Sequence, residues 1–182
     1  YPDEPGFARA SLARLDDVMA ELRPALSYRL LLSAHGLPRR TIAKGDPYQF
    51  QVERTGAAIA AARPGLDIQV CYQSRVGPLE WIGPATDAEI RRAGAQGKGV
   101  IVLPVAFVSE HSETLVELDI EYAKLARAAG VPDYRRAATV GDHPDFIAGL
   151  ARLVRAALKS ASIVSSEDGR LCPRTFCRCA MG

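Results

Sequence analysis

Continuous apolar runs recur along the chain at intervals that a helix could fill. Tyr28–Ala34 (YRLLLSA), Leu66–Gln73 (LDIQVCYQ) and the stretch from Val100 to Val108 (VIVLPVAFV) are runs of this kind, rich in aliphatic and β-branched side chains. Unbroken rather than alternating hydrophobicity marks strands covered on both faces, as in a parallel sheet. The segments between them show helical spacing instead. Phe7, Leu12, Leu15, Val18, Met19 and Leu22 form a stripe that Pro24 ends. A second helix is predicted over residues 48–62, stopping before Pro64-Gly65. A third starts at Gly83–Asp87 and runs to about Gly94. A charged helix follows Val100–Val105 as far as about Ala129, where Gly130-Val131-Pro132 stops it. A short fourth strand is expected over Tyr134–Thr139. The last helix is expected from Pro144, a proline suited to a first-turn position, to about Lys159. Strand and helix alternate, so the fold class is α/β: a parallel sheet of about four strands flanked by helices, flavodoxin-type. Ligands of such sheets bind beyond the carboxyl ends of the strands. His35–Pro38, Ser74–Trp81 and Ser109–Glu113 fall there.

Composition narrows the possibilities. The 182 residues suffice for one sizeable domain, and 48% hydrophobic with 24% charged residues is ordinary for a globular protein. A net charge of +2, from 23 basic and 21 acidic residues, leaves no footprint for nucleic acid. The longest apolar run is far too short to span a bilayer. Neither a GxGxxG nor a P-loop pattern is present to support nucleotide binding. No signal peptide opens the chain, which begins at Tyr1 rather than Met, and this predicts a fragment or a processed product. Residues 1–159 read as one α/β domain and 160–182 as a linker with a cysteine tail. Cys71 stands alone, whereas Cys172, Cys177 and Cys179 crowd the last eleven residues, unlike a spread disulfide framework.

Candidate chemistry concentrates after the third strand. Glu110, His111, Glu113, Glu117, Asp119 and Glu121 follow a buried strand into a helix. Glu113, Glu117 and Glu121 lie four residues apart, and each such step turns an α-helix by about 40°, so the three make a slanting ridge. A π-type turn would align them better, and such turns concentrate at functional sites. A solvated helix face is the plain alternative for the ridge, a satisfied loop histidine for His35, packing for Trp81, and core for Cys71.

The segments SAHGLP (Ser33–Pro38), GDPY (Gly45–Tyr48), YQSRVGPLEWIGPATD (Tyr72–Asp87) and PVAFVSEHSETLVELDIEY (Pro104–Tyr122) together resemble ferrochelatases, in continuous order from about Leu30 to Leu158. The resemblance implies a chelatase-like fold and insertion of ferrous iron into protoporphyrin IX, the terminal step of haem synthesis. It matches His35 to the family's catalytic base and Glu113 to its partner, both near the substrate iron. It matches Glu117 and Glu121, with His111 at the entrance, to a path for protons or metal. Trp81, Gln73, Ser74 and Arg75 match the porphyrin pocket. Glu110 stands where a common member carries Asp and receives no role. The chemistry suits these groups: metallation removes two pyrrole protons, a neutral imidazole can accept one, and a neighbouring carboxylate stabilises the imidazolium.

The family chain has two similar halves around a cleft, and this sequence resembles the C-terminal one, so the N-terminal half is an expected partner. The C-x4-C-x-C tail resembles the segment that holds a [2Fe-2S] cluster in some members. Such a cluster needs four thiolates. Cys172, Cys177 and Cys179 supply three, and the fourth comes from the missing half or from Cys71. A homodimer, a cytoplasmic location and contact with a membrane periphery complete the expectation. Two rivals remain: a homodimeric single-domain chelatase acting on another tetrapyrrole, for example with cobalt, and a non-enzymatic haem- or metal-binding module.

Overall fold

The computed structural model describes residues 2–163, 165 and 169–181. Four parallel strands, β1 (Tyr28–His35), β2 (Asp67–Gln73), β3 (Gly99–Pro104) and β4 (Tyr134–Arg136), form one sheet in the order β2-β1-β3-β4. The helices are α1 (Pro5–Met19), α2 (Arg39–Ala43), α3 (Tyr48–Ala62), α4 (Thr86–Ala95), α5 (Ser112–Leu115), α6 (Ala123–Ala128) and α7 (Pro144–Ala157), with a π-helical segment at Glu117–Tyr122 between α5 and α6. Parallel crossovers are right-handed. The chain steps from β1 to β2 in one direction and from β2 past β1 to β3 in the other. The reversal puts α3 on one face of the sheet and α4 on the opposite face.

Each apolar run serves both faces. Leu30, Leu32 and Ala34 of β1 and Ile101 and Leu103 of β3 pack with Leu15 of α1 and Val52 and Ile59 of α3. Leu31 of β1 and Val100 and Val102 of β3 pack with Ile90 of α4, Leu118 of the π-helical segment and Ala126 of α6. All these side chains are buried, and each large aliphatic one stabilises the fold by about 1.5–3 kcal/mol relative to exposure. A separate small core, Phe7, Ala10, Val140 and Phe146, joins α7 to α1. That contact is close. Buried Glu4 caps α1 by accepting the Phe7 N–H at 2.8 Å and pairs with Arg152 of α7. A Cβ at Gly149 would sit 2.3 Å from the Glu4 carboxylate, so any larger residue must shift that side chain.

The elements fall where the hydrophobic pattern predicts, with three differences. Residues 39–43, where the hydrophobic pattern predicts no element, form the one-turn helix α2. The fourth strand ends at Arg136 rather than at Thr139. The charged helix is not one helix but α5, a π-helical segment and α6 in succession. The linker expected over 160–171 falls partly outside the described residues, at 164 and 166–168. No described helix is long and apolar enough to cross a membrane.

Candidate active site

His35 is the last residue of β1, in register with Gln73 at the end of β2. Gly36 follows it. A Cβ there would lie 2.9 Å from the Gln73 carbonyl and 3.3 Å from the Trp81 ring, so glycine lets the His35 loop close against both. The Tyr48 hydroxyl donates to the His35 carbonyl at 2.9 Å. Burial, with Glu113 nearby, pushes that phenol up to about 12, so it remains a donor at neutral pH.

The imidazole meets Glu113 from α5, with Nδ1 2.9 Å from Oε2. A carboxylate only accepts, so Nδ1 donates in this pair, and in the neutral imidazole the Nε2 lone pair is then free. Both side chains are a little over one third exposed (38% and 37%), open enough for a substrate to reach. His111 fixes where α5 begins. Its Nδ1 accepts the Glu113 N–H at 3.1 Å, its own N–H reaches the Thr114 hydroxyl at 2.9 Å, and its ring packs on Phe107. Its nearer nitrogen is therefore engaged in capping.

Glu117 is held more tightly than any other residue of the ridge. Its Oε1 accepts from the Ser74 N–H at 2.8 Å and the Tyr122 hydroxyl at 3.0 Å. Its Oε2 accepts from the Ser74 hydroxyl at 2.5 Å and the Gln73 amide at 3.0 Å. Burial beside this carboxylate raises the Tyr122 phenol well above its ordinary range, which keeps it a donor. The π-turn makes the arrangement possible. The Glu121 N–H bonds to the Val116 carbonyl five residues back, and the wider turn brings Tyr122 over Glu117. Ser74 contributes both backbone and side chain because it adopts a positive φ of 59°.

Glu113 and Glu117 border a cavity of ≈ 670 Å³ whose lining also includes Ser74, Arg75, Trp81, Asp87 and Glu121. Among the described residues, the buried Trp81 Nε1–H has no acceptor. Six expected residues, Trp81, Ser74, Arg75, Glu113, Glu117 and Glu121, thus meet at one wall, whereas His35 and His111 lie outside its lining. Gln73, expected at the pocket, is fully buried beneath it and does not line it. Tyr122 and Asp87 were missed by sequence reasoning. The five-residue step from Glu117 to Tyr122 was the only available signal, and it has meaning only on a π-turn. Glu110 turns away to Arg136, at 2.9 Å, and to the Thr139 N–H, at 2.8 Å. Asp119 is held by the same arginine.

The cysteines divide as their positions suggest. Cys71 lies in the core under α4, and burial pushes its thiol up to about 12. That enclosure removes it as a ligand for the tail. Cys172 takes a hydrogen bond from the Gln51 amide at 3.6 Å, and burial, with Cys179 nearby, raises its thiol. Cys177 turns instead to the Lys44 carbonyl, at 3.5 Å, while the Arg178 N–H bonds to the Gly45 carbonyl at 3.1 Å. Phe176 packs on Phe50 of α3. Among the described residues no three His, Cys, Asp or Glu side chains converge as metal ligands. The thiols are the right donors for iron and sulfide, but as folded they do not make a complete cluster site.

A histidine hydrogen-bonded to a carboxylate beside an acid-lined cavity, at the carboxyl edge of a parallel sheet, marks the chain as an α/β protein with its candidate site at the strand ends. The fold is similar to that of SirB from Bacillus subtilis with Fe3+, at a TM-score of 0.55 and 19% identity, over 84% of this chain and 54% of that one. The ferrochelatase family model matches residues 1–158, and the chain belongs to that family. It is 51% identical over 181 residues to a ferrochelatase of Caulobacter vibrioides, covering 98% of this chain and 52% of the relative. It is 49% identical to one of Phenylobacterium zucineum, over 99% of this chain and 52% of the relative. The chain therefore spans about half the length of these curated relatives.

Proposed function

We propose that this chain forms one wall of a cleft in which ferrous iron is inserted into protoporphyrin IX to give protohaem, and that an N-terminal half supplies the other wall. The observation that carries this reading is the 2.9 Å His35–Glu113 pair beside an acid-lined cavity. In outline, Fe2+ and the free-base porphyrin give haem and two protons. His35 Nε2 accepts a pyrrole proton as the iron–nitrogen bonds form. Glu113 stabilises the resulting imidazolium and pulls on its Nδ1 proton. Incoming iron passes close to this pair. Glu121 and Asp87 border the same cavity and offer carboxylates for the exit of protons or the approach of the cation. Trp81, Ser74 and Arg75 face the macrocycle, whose apolar body suits the indole.

His35→Ala, made in the longer polypeptide, is expected to lower iron insertion by about 10²–10⁴-fold with the fold retained. Wild-type turnover would reject the base assignment. Gel filtration and insertion assays on the 182-residue chain test the rival reading. Activity of a homodimer of this chain alone, with iron or cobalt, would replace the two-half cleft. Porphyrin binding without any insertion by the longer polypeptide would favour a binding module.

For the tail we propose a [2Fe-2S] cluster held by Cys172, Cys177 and Cys179 with a thiolate from outside this chain. The support is the donor chemistry and the nearness of Cys179 to Cys172. Cys177 would have to leave the Lys44 carbonyl. An anaerobic visible spectrum with iron and sulfide analysis tests this, and a colourless, iron-free protein rejects it. A cytoplasmic location at the periphery of a membrane is part of the same proposal, tested by fractionation.

A further inference from the structure

A chain of buried hydrogen bonds runs beneath the cavity floor, and the reaction outlined above does not use it. Its central member is Gln73, fully buried at the end of β2. A primary amide has two unlike ends, one accepting and one donating. The Gln73 Nε2 donates to Glu117 Oε2 at 3.0 Å and to the Glu113 carbonyl at 2.8 Å. Its Oε1 accepts from Ser33 Oγ at 2.7 Å. Ser33 Oγ lies 3.1 Å from Thr86 Oγ1, and Thr86 Oγ1 lies 3.2 Å from Cys71 Sγ. Ser33, Thr86 and Cys71 are all inaccessible to solvent. A hydroxyl has one proton, so the Ser33 proton is committed to Gln73, and the single Thr86 proton serves either Ser33 Oγ or Cys71 Sγ.

We propose that Ser33 is a positioning residue for the His35–Glu113 pair, acting through Gln73. Ser33 pins the accepting end of the amide within the core. The donating end then reaches the first turn of α5 and the Glu117 carboxylate together. The Glu113 carbonyl belongs to the residue whose side chain holds His35, so the amide fixes the backbone from which that side chain reaches out. Without the Ser33 hydroxyl, Gln73 Oε1 would be buried with no donor, a state that folded proteins avoid. Relief would come by drawing the amide up towards the cavity, where water supplies a donor. That movement would release the Glu113 carbonyl and loosen the pair with His35. Ser33 touches neither substrate nor His35 in this scheme.

The inference rests on the proposed insertion reaction, so its test has one readout with activity and one without. In the longer polypeptide, Ser33→Ala is expected to lower kcat for iron insertion by about tenfold while KM for porphyrin stays within about twofold, the split expected of lost alignment. Ser33→Thr, which keeps the hydroxyl, should restore kcat to within about threefold of wild type. Thr86→Val cuts the chain beyond Ser33 and should leave kcat within about twofold. In NMR spectra of the 182-residue chain, Ser33→Ala should remove the exchange protection of the Gln73 side-chain amide, and Thr86→Val should keep it. Wild-type kcat in Ser33→Ala, or an unchanged Gln73 amide, overturns the proposal. An equal loss of kcat in Thr86→Val also overturns it, by showing general damage to the core. Loss of the Gln73 protection with no insertion by the wild-type polypeptide supports the anchor and rejects the reaction.

Discussion

The acidic segment after β3 and the cysteine tail both crowd ligand-type side chains into a short sequence, and the fold treats them in opposite ways. Glu117 receives donors from Gln73 and Ser74 at the end of β2 and from Tyr122 on its own segment. Glu113 meets His35 from β1. The carboxylates are therefore organised by two strands and a helix that arrive from distant parts of the sequence. The tail docks through backbone contacts with Lys44 and Gly45 and one aromatic pair, Phe50 with Phe176. Two of its thiols lie near each other and the third faces a carbonyl. Local crowding thus becomes a site only where other elements supply orientation. The acidic segment has those partners within the chain, and the tail has only some of them.

The sharpest way to break this contrast is to remove the charge that the strands organise. Glu113→Gln is expected to lower insertion by about 10²-fold in the longer polypeptide. Its effect on thermal unfolding of the chain should be small, because the pair is partly exposed. Glu117→Ala should do the reverse in kind. It leaves the buried Gln73 amide and the Ser74 N–H short of acceptors, at a cost of about 2–3 kcal/mol. For a chain of this size that lowers Tm by roughly 5–10 °C, read by calorimetry. An unchanged Tm would show that the three hydrogen bonds from Gln73 and Ser74 do not hold the segment to β2.

Gly149→Ala tests the close contact of α7 with α1. The added methyl must displace buried Glu4 or separate the helices, at about 1–3 kcal/mol by urea unfolding. A neutral result would mean that α7 moves away freely.

Acid should weaken the scaffold around the acidic segment in a defined window. Burial alone would raise Glu110, but the Thr139 N–H, the Thr114 hydroxyl and Arg136 together hold it below its ordinary value of 4.5. Burial would also raise Asp67, and Arg29 and Lys98 hold it below 3.8. A carboxyl depressed in the folded state adds stability that is fully present above its unfolded pKa and is lost as pH falls through its folded value. Thermal stability should therefore be insensitive to these two groups from neutral pH to about 5 and decline below about 4. Arg136→Met should blunt that decline, and an equally steep acid limb in the variant would reject the assignment.

The smallest effect is expected in the tail. Cys177→Ser should change stability by less than about 0.5 kcal/mol in the metal-free chain, because the exposed thiol gives a single weak hydrogen bond, to the Lys44 carbonyl, which a hydroxyl can replace. A larger loss would mean that the tail is part of the fold and not an appendage to it.

Much of the architecture was legible because parallel strands must be apolar on both sides. LLL in β1 and VIVL in β3 could not sit comfortably at a surface, and the intervening helices follow from the length between strands. Residues 39–43 escaped notice because one short turn between a Pro and a Gly has no hydrophobic period to display. The acidic ridge was legible as a spacing, and His35 and Glu113 as members of a resemblance. The pairing was expected from that resemblance alone, since spacing along the chain cannot join residues 78 apart. The role of Gln73 was hidden for a related reason: a polar residue at the end of a strand reads as exposed until its neighbours fill in around it.

The sequence by itself determined the parallel α/β class, the concentration of acid after the third strand, and the family, because hydrophobic period and local motif are one-dimensional properties. Only the tertiary structure decided how closely Glu113 meets the histidine, which carboxylate is tied down by four donors, and that the amide of Gln73 lies under the floor. Those outcomes depend on where β1, β2 and the π-turn converge. Hydrogen bonds act over about 3 Å, and no spacing along a chain can fix distances of that order between segments that only folding brings together.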